Sequence, residues 1–194
     1  MKLSTIEQAI EALRAGKPVL VADAEDRENE GDAVMAAEFA TEEWIAWMVR
    51  NTSGFICAPM TEEIADRLEL PLMTVKNQDR LRTQYTVSVD AAKGVGTGIS
   101  AADRAQTLRV LADSTATPAD LVRPGHILPL RAHPDGVFAR QGHTEATVDL
   151  LRFAGLQPVG VIAEMVSENG KMMRISELLL VGEKEGLPVI TIEQ

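Results

Sequence analysis

The sequence contains one cysteine, Cys57, in 194 residues, so no disulfide can close within a chain and a disulfide-stapled secreted scaffold is excluded. No stretch approaches the ~18 consecutive apolar residues of a membrane-spanning helix. The opening Met1-Lys-Leu-Ser-Thr-Ile-Glu-Gln8 lacks the long apolar stretch of a secretory signal. Positive charge is in short supply. Nineteen Lys and Arg face 29 Asp and Glu, for a net charge of −10. General nucleic-acid binding and docking on anionic membranes both need basic surface, and the composition argues against each. Internal repeats, low-complexity tracts and a dividing linker are also missing. What is present is an apolar fraction of 45%, enough for a real core. The expectation is an acidic protein of the reducing cytoplasm, with 1–194 as a single domain.

Hydrophobic periodicity supplies the elements. A capping box from Ser4 to Glu7 opens a helix whose stripe is Ile6, Ala9, Ile10 and Leu13 and which ends at Gly16. Residues 18–22 read as a buried strand and 33–37 as a second apolar stretch. A helix starts near Thr41, with Trp44, Ile45, Trp47 and Met48 inward. Residues 55–58 read as a strand, Thr61 caps a helix, and 85–90 alternate like a half-buried strand. Ser100 caps a further helix, 127–130 and 137–139 look extended, and 144–153 look helical up to Gly155. Residues 159–165 form the most strand-like run, followed by an Asn169-Gly170 hairpin turn. A helix at 176–181 and a strand at 189–192 complete the series. This irregular mixture predicts an α+β (mixed α/β) class, with helices packed on the faces of a mixed β-sheet.

Charge is densest in Asp23-Ala-Glu-Asp-Arg-Glu-Asn-Glu-Gly-Asp32, which holds six acids and one base. A solvated acidic turn is one reading. The other is a cation site, because the run follows a buried strand and its crowded carboxylates need a cation or arginines to offset their repulsion. An EF-hand is excluded, since position 12 counted from Asp26 is Ala37 instead of a bidentate Glu. All three histidines, His126, His133 and His143, lie within 18 residues, beside Arg123, Arg131 and Arg140. They are either surface and core filler, or imidazoles for metal binding and proton transfer beside arginines for phosphate capture. Arg140-Gln-Gly-His-Thr144 opens a helix, where backbone N–H groups, the Thr144 hydroxyl and Arg140 suit a phosphate and Gly142 lets an anion approach.

Two further features stay open. Gly94-Val-Gly-Thr-Gly-Ile-Ser100 fails as a dinucleotide fingerprint, because Ile99 holds the third glycine's place, and it fails as a P-loop. It is a plain turn or an anion-binding lip with Thr97 as its best donor. Glu164 interrupts an apolar run. On a solvated face it is bland, and on a cleft side its desolvation suits it to proton transfer. Cys57 reads as a packed strand residue.

Taken together, the motifs resemble the 3,4-dihydroxy-2-butanone 4-phosphate synthase family of riboflavin biosynthesis, from Val19 to about Ser176. The match rests on Asp26-Arg-Glu-Asn-Glu-Gly-Asp32, Gly98-Ile-Ser-Ala-Ala-Asp-Arg104, Pro124-Gly-His126, Arg140-Gln-Gly-His-Thr-Glu145 and Pro158-Val-Gly-Val-Ile-Ala-Glu164. The resemblance implies a lyase that converts ribulose 5-phosphate to a four-carbon phosphate plus formate with Mg²⁺ or Mn²⁺. It implies Glu28 and His143 as metal ligands, and Arg27, Glu28 and Asp32 against the substrate. Arg140, Gly142 and Thr144 would take the phosphate with Thr97 opposite, Gln141 and His143 would also touch the substrate, and His126 and Glu164 match positions tied to catalysis. It also implies a mixed-sheet sandwich forming a homodimer with sites at the subunit interface, here in a monofunctional form. The rival readings are a metal-dependent sugar-phosphate isomerase or aldolase and a non-catalytic sugar-phosphate-binding module.

Overall fold

The structure is a computed structural model that describes residues 2–194, leaving Met1 of the N-terminal segment outside the described residues. Seven strands form one mixed sheet, ordered β4-β5-β3-β6-β2-β1-β7. In chain order they are β1 (Val19–Ala22), β2 (Gly31–Ala36), β3 (Cys57–Met60), β4 (Val89–Ala91), β5 (Leu121–Arg131), β6 (Gly160–Glu164) and β7 (Val189–Thr191). The β1/β7 and β3/β5 pairs are parallel; β1/β2, β2/β6, β3/β6 and β4/β5 are antiparallel. Six helices cover the sheet: α1 (Ile6–Arg14), α2 (Glu42–Asn51), α3 (Glu62–Arg67), α4 (Ala101–Ala112), α5 (His143–Ala154) and α6 (Ile175–Glu185). The α+β expectation therefore holds. No described helix is long and apolar enough to cross a membrane.

Every residue of β1 and β2 is buried, because the sheet is covered on both faces. Alternate residues serve opposite layers. Leu20, Ala22, Ala33 and Met35 pack with Ile45 and Met48 of α2, Leu108 and Leu111 of α4 and Leu178 of α6. Val19, Val21, Val34 and Ala36 pack with Ala9 and Leu13 of α1 and Leu150, Leu151 and Ala154 of α5. Burying each such aliphatic side chain contributes roughly 1.5–3 kcal/mol. The same period of two decides where the acids go. Asp32 shares the parity of Val34, and Glu164 that of Ile162, and the two acids are cross-strand partners in the β2–β6 register. Asp23 lies two residues beyond Val21. All three therefore emerge at one end of the sheet on the layer that α5 covers.

Local chemistry corrects several sequence expectations. The first capping box is Thr5 with Gln8, shifted by one residue, because Ser4 instead bonds to Val189 at the sheet edge. Residues 137–139 are not extended. Gly136–Phe138 is a 3₁₀ turn, set by Gly136 at φ +60° and by Asp149, which accepts the Val137 amide at 2.9 Å. In the 85–90 run only Val89–Ala91 joins the ladder, and Tyr85 and Thr86 make isolated bridges. β5 begins at Leu121, earlier than its apolar pattern indicates, since residues 122–126 are at least partly exposed.

Candidate active site

The acidic run folds around Asp23. Its carboxylate accepts the backbone N–H groups of Glu28 and Glu30 at 3.0 and 2.8 Å, and Nη1 of Arg27 at 2.9 Å. Asn29 turns the chain at φ +55°, a left-handed conformation that asparagine tolerates better than most residues. Arg27 also pairs with Glu28. The result is a small cleft of about 50 Å³, lined by Arg27, Glu28, Asp32, Arg140, His143, Thr144 and Glu164, with Glu30, Thr83 and Tyr85 beside them.

Asp32 is the most conspicuous group. It is 3% exposed, and its Oδ1 has no hydrogen-bond partner among the described residues. Burial first, and then the charges of Glu164, Glu28 and Glu30, hold its carboxyl well above the usual carboxylate range. Burial, aided by Glu28 and Glu164, also pushes Glu30 up. Opposite Asp32 stands His143, the first residue of α5. Its Nε2 lies 3.1 Å from the Val21 carbonyl, an acceptor only, so Nε2 carries the proton and Nδ1 the lone pair. That nitrogen lies 3.8 Å from Asp32 Oδ1 and 4.0 Å from Glu28 Oε2. Burial lowers the His143 pKa against the pull of Asp23 and Glu28, which favours the neutral, ligand form of the ring.

An orphaned buried carboxylate oxygen beside an imidazole lone pair fits a divalent cation. Asp23, Glu28 and His143 each place a donor atom within 4.8 Å of the others. Hard carboxylate oxygens with one imidazole match Mg²⁺ or Mn²⁺ better than softer metals. Glu164 closes the far side. Its carboxylate accepts the Ser53 hydroxyl, while the Ser53 amide bonds to the Glu164 carbonyl at 2.7 Å.

The start of α5 has no side-chain cap, leaving its first N–H groups to an anion, with Thr144 buried next to them. Arg140 is already anchored there, through Nη1 to Glu145 at 2.6 Å, Nη2 to Thr83 at 2.9 Å and Nε to the Leu81 carbonyl at 3.1 Å. Two of its five N–H donors remain for a bidentate ligand. Gly142 has a further reason to be glycine: a Cβ there would overlap the Arg140–Glu145 pair.

Not all of the sequence-nominated residues gather in this cleft. Gln141 faces an adjoining apolar groove beside Phe138 and Phe153. His133 is half exposed and accepts the Asp135 amide. Thr97 and His126 sit on the β4–β5 side of the sheet. There Asp90 binds His126, and Gly98 packs over both. His126 lies four residues before the cleft residue Leu130 on β5, a span of about 13 Å along a strand. Cys57 is buried at the cleft floor. Burial, with Glu164 and Asp32, pushes its thiol up, so it is a packed strand residue and no nucleophile. Sequence reasoning did not single out Asp23, Glu30, Ser53, Thr83 or Asp90. For Asp23, the parity with Val21 was an available signal; for Ser53 there was none.

Comparison with known proteins places the chain in a family. A family model described as 3,4-dihydroxy-2-butanone 4-phosphate synthase matches residues 7–194. The riboflavin biosynthesis protein RibBA of Salinispora arenicola is 58% identical over 188 residues, which is 97% of this chain and 45% of that protein. The chain thus spans about half the length of the RibBA relatives it matches. The 3,4-dihydroxy-2-butanone 4-phosphate synthase of Pelobacter propionicus is 50% identical over 194 residues, covering all of this chain and 83% of that one. A crystal structure of a 3,4-dihydroxy-2-butanone 4-phosphate synthase in complex with two magnesium ions has a TM-score of 0.95 at 46% identity, covering 98% of this chain and 94% of that one. The synthase of Candida albicans gives a TM-score of 0.92 at 48% identity over 100% and 96% of the two chains. With a family model covering nearly the whole sequence and solved members superposing throughout, this chain belongs to the 3,4-dihydroxy-2-butanone 4-phosphate synthase family.

Proposed function

We propose that this chain is a cytoplasmic lyase that converts D-ribulose 5-phosphate to L-3,4-dihydroxy-2-butanone 4-phosphate and formate, supplying the four-carbon unit of riboflavin, and that 1–194 is one synthase domain. The observation that carries the reading is the convergence of the orphaned Asp32 oxygen and the His143 Nδ1 lone pair beside the uncapped start of α5. Glu28 and His143 would hold Mg²⁺ or Mn²⁺, with Asp23 ordering the loop that presents Glu28. A divalent cation there polarises the substrate's vicinal oxygens and offsets charge developing on them. Arg27, Glu28 and Asp32 position the sugar oxygens. Arg140, Gly142 and Thr144 receive the phosphate, with Thr97 on the opposite side. Glu164, one oxygen taken by Ser53, moves a proton at the substrate carbon skeleton, and His126 moves a second.

The test is to incubate the chain with ribulose 5-phosphate and Mg²⁺ and to assay formate. Formate should appear in step with substrate loss, vanish after chelation and return with Mg²⁺ or Mn²⁺. Glu28→Gln and His143→Ala should each weaken metal binding in calorimetry. Full activity in chelated protein overturns the metal requirement, and substrate consumed without formate overturns the reaction.

The active form in this reading is a homodimer in which each cleft is completed by Thr97 and His126 of a second copy. Two features support it. The cleft holds about 50 Å³, far less than a small-ligand pocket of roughly 300–1,000 Å³. The segments that carry Thr97, His126 and Ser53 also leave the large apolar residues Ile99, Val122 and Phe55 about half exposed. Light scattering should give a dimer mass. Co-refolding inactive His126→Gln with inactive His143→Ala chains should regain about a quarter of wild-type activity, since half the dimers are mixed and each mixed dimer has one intact site. A monomeric active form, or no recovery in proven mixed dimers, rules out the shared site.

A further inference from the structure

We propose that Asp90 is the positioning residue for His126, holding the ring as the Nδ1–H tautomer so that Nε2 carries the lone pair available to the substrate proton. The inference rests on the reading of His126 as a proton-transfer group. Asp90 is 7% exposed, and it grips His126 twice. Its Oδ1 accepts the His126 backbone N–H at 2.9 Å, and its Oδ2 lies 2.6 Å from Nδ1. A carboxylate only accepts hydrogen bonds, so this contact makes Nδ1 the protonated nitrogen. A neutral imidazole has one N–H, which leaves the lone pair on Nε2. No hydrogen bond reaches Nε2 among the described residues.

The surrounding backbone is built to keep this arrangement. β4 and β5 pair Val89 with Ile127 but Asp90 with Val122, so the residues between them on β5 form an irregularity in the ladder. Such a bulge re-aims a side chain, and here it folds His126 back over Asp90. Gly98, at φ +91°, closes over the pair, and a Cβ there would overlap the Asp90 carboxylate. The Gly98 and Gly96 amides are in turn held by Asp103 at 3.0 and 3.1 Å, within the first turn of α4. Thr107, one turn further along α4, accepts the Ala91 amide at 2.9 Å and locks β4 in place. A ring flip of His126 would exchange Nδ1 for a carbon facing Asp90 and lose the bond. The assembly therefore dictates both the tautomer and the ring's orientation, and the sugar-phosphate chemistry would use what it leaves exposed.

The experiment combines kinetics with ¹⁵N NMR of the histidine rings in the full chain, using His126→Gln to assign the His126 signals. Wild type should show Nδ1 protonated. In Asp90→Asn, which preserves volume, the amide offers an N–H to Nδ1, and the ring should shift toward the Nε2–H form. Turnover in that variant should fall about 10²–10⁴-fold with KM changed less than roughly threefold. In the His126→Gln background, Asp90→Asn should cost nothing more, because both changes remove one function. If His126→Gln keeps full turnover, the role of His126 itself fails. If His126→Gln is inactive while Asp90→Asn keeps wild-type turnover, or the two losses multiply, the positioning role alone fails. Should Asp90→Asn not fold, the wild-type spectrum still decides, since an Nε2–H ring there overturns the proposal.

Discussion

Ribulose 5-phosphate labelled with ¹³C at C4 alone should yield formate carrying the label and a four-carbon phosphate carrying none. The outcome is close to all-or-none, and it separates the proposed skeletal rearrangement from its chemical rivals. An isomerase keeps all five carbons together. A retro-aldol cut between C3 and C4 gives two- and three-carbon fragments and no formate. An imine-forming aldolase would need an amine, and among the described residues no lysine lines the cleft of the single chain. What the cleft does offer is the Glu164 carboxylate, beside a cluster of two acids and one imidazole that could hold a cation. Only joining C3 to C5 with expulsion of the carbon between them sends C4 to formate. Carbon NMR of the product mixture reads the answer directly, and label retained in any sugar phosphate rejects the rearrangement.

Asp32→Asn should stabilise the metal-free protein while abolishing turnover. Asp32 is a buried carboxylate with an unpaired oxygen, paired in register with Glu164, and its neutral isostere removes the repulsion between the two charges. Where wild-type Asp32 is charged, the gain should be about 1.4 kcal/mol for each unit by which folding raises its pKa. For a chain of this size that is about 2–4 °C in Tm per kcal/mol. The pH dependence follows from the same group. Its folded pKa lies well above its unfolded value, which is about 3.9. Its contribution to stability is therefore complete below the unfolded pKa, and it is lost as pH rises through the folded pKa. Metal-free wild type should accordingly lose stability relative to Asp32→Asn as pH rises above the unfolded value of about 3.9 and up through the folded pKa. Added Mg²⁺ should narrow that gap, since a cation favours the charged carboxylate. Calorimetric melting of both proteins with and without Mg²⁺ checks each statement, and equal pH slopes in the two metal-free proteins would reject the account.

The elements that sequence reading located well are those whose signals are local. Thr61 and Ser100 each cap the helix they were expected to cap, and Thr41 caps the helix expected to start near it, because a side-chain oxygen reaches an amide only three residues on. The sheet's class was likewise legible, since strands buried on both faces leave continuous apolar runs. The site was readable as residue types and much less so as places. His126 and His143 share an arginine-rich neighbourhood in sequence, yet one starts a helix over β2 while the other is carried away on an irregular stretch of β5. That separation comes from long-range pairing, to which periodicity is blind. Ser53 shows the same limit, because its bond to Glu164 crosses 111 residues of chain. Ser4 failed on a smaller scale: it has the chemistry of a cap, but β7 competes for it.

The pairing of Asp32 with Glu164 gives β2 something like a reading frame. Both faces of the sheet are apolar, so sliding β2 by one residue against β6 would leave the hydrophobic pattern nearly as well satisfied as before. Polarity alone therefore cannot keep the acids on the α5 side. The frame is kept by two glycines that act as keys. A Cβ at Gly31 would overlap Leu178 of α6, and one at Gly160 would overlap Thr147 of α5. After a slip of β2 a larger residue would have to enter the Gly31 notch, and a slip of β6 would do the same at the Gly160 notch on the opposite face of the sheet. The register that sets the two carboxylates side by side is in this sense held by the two positions in the paired strands that have no side chain.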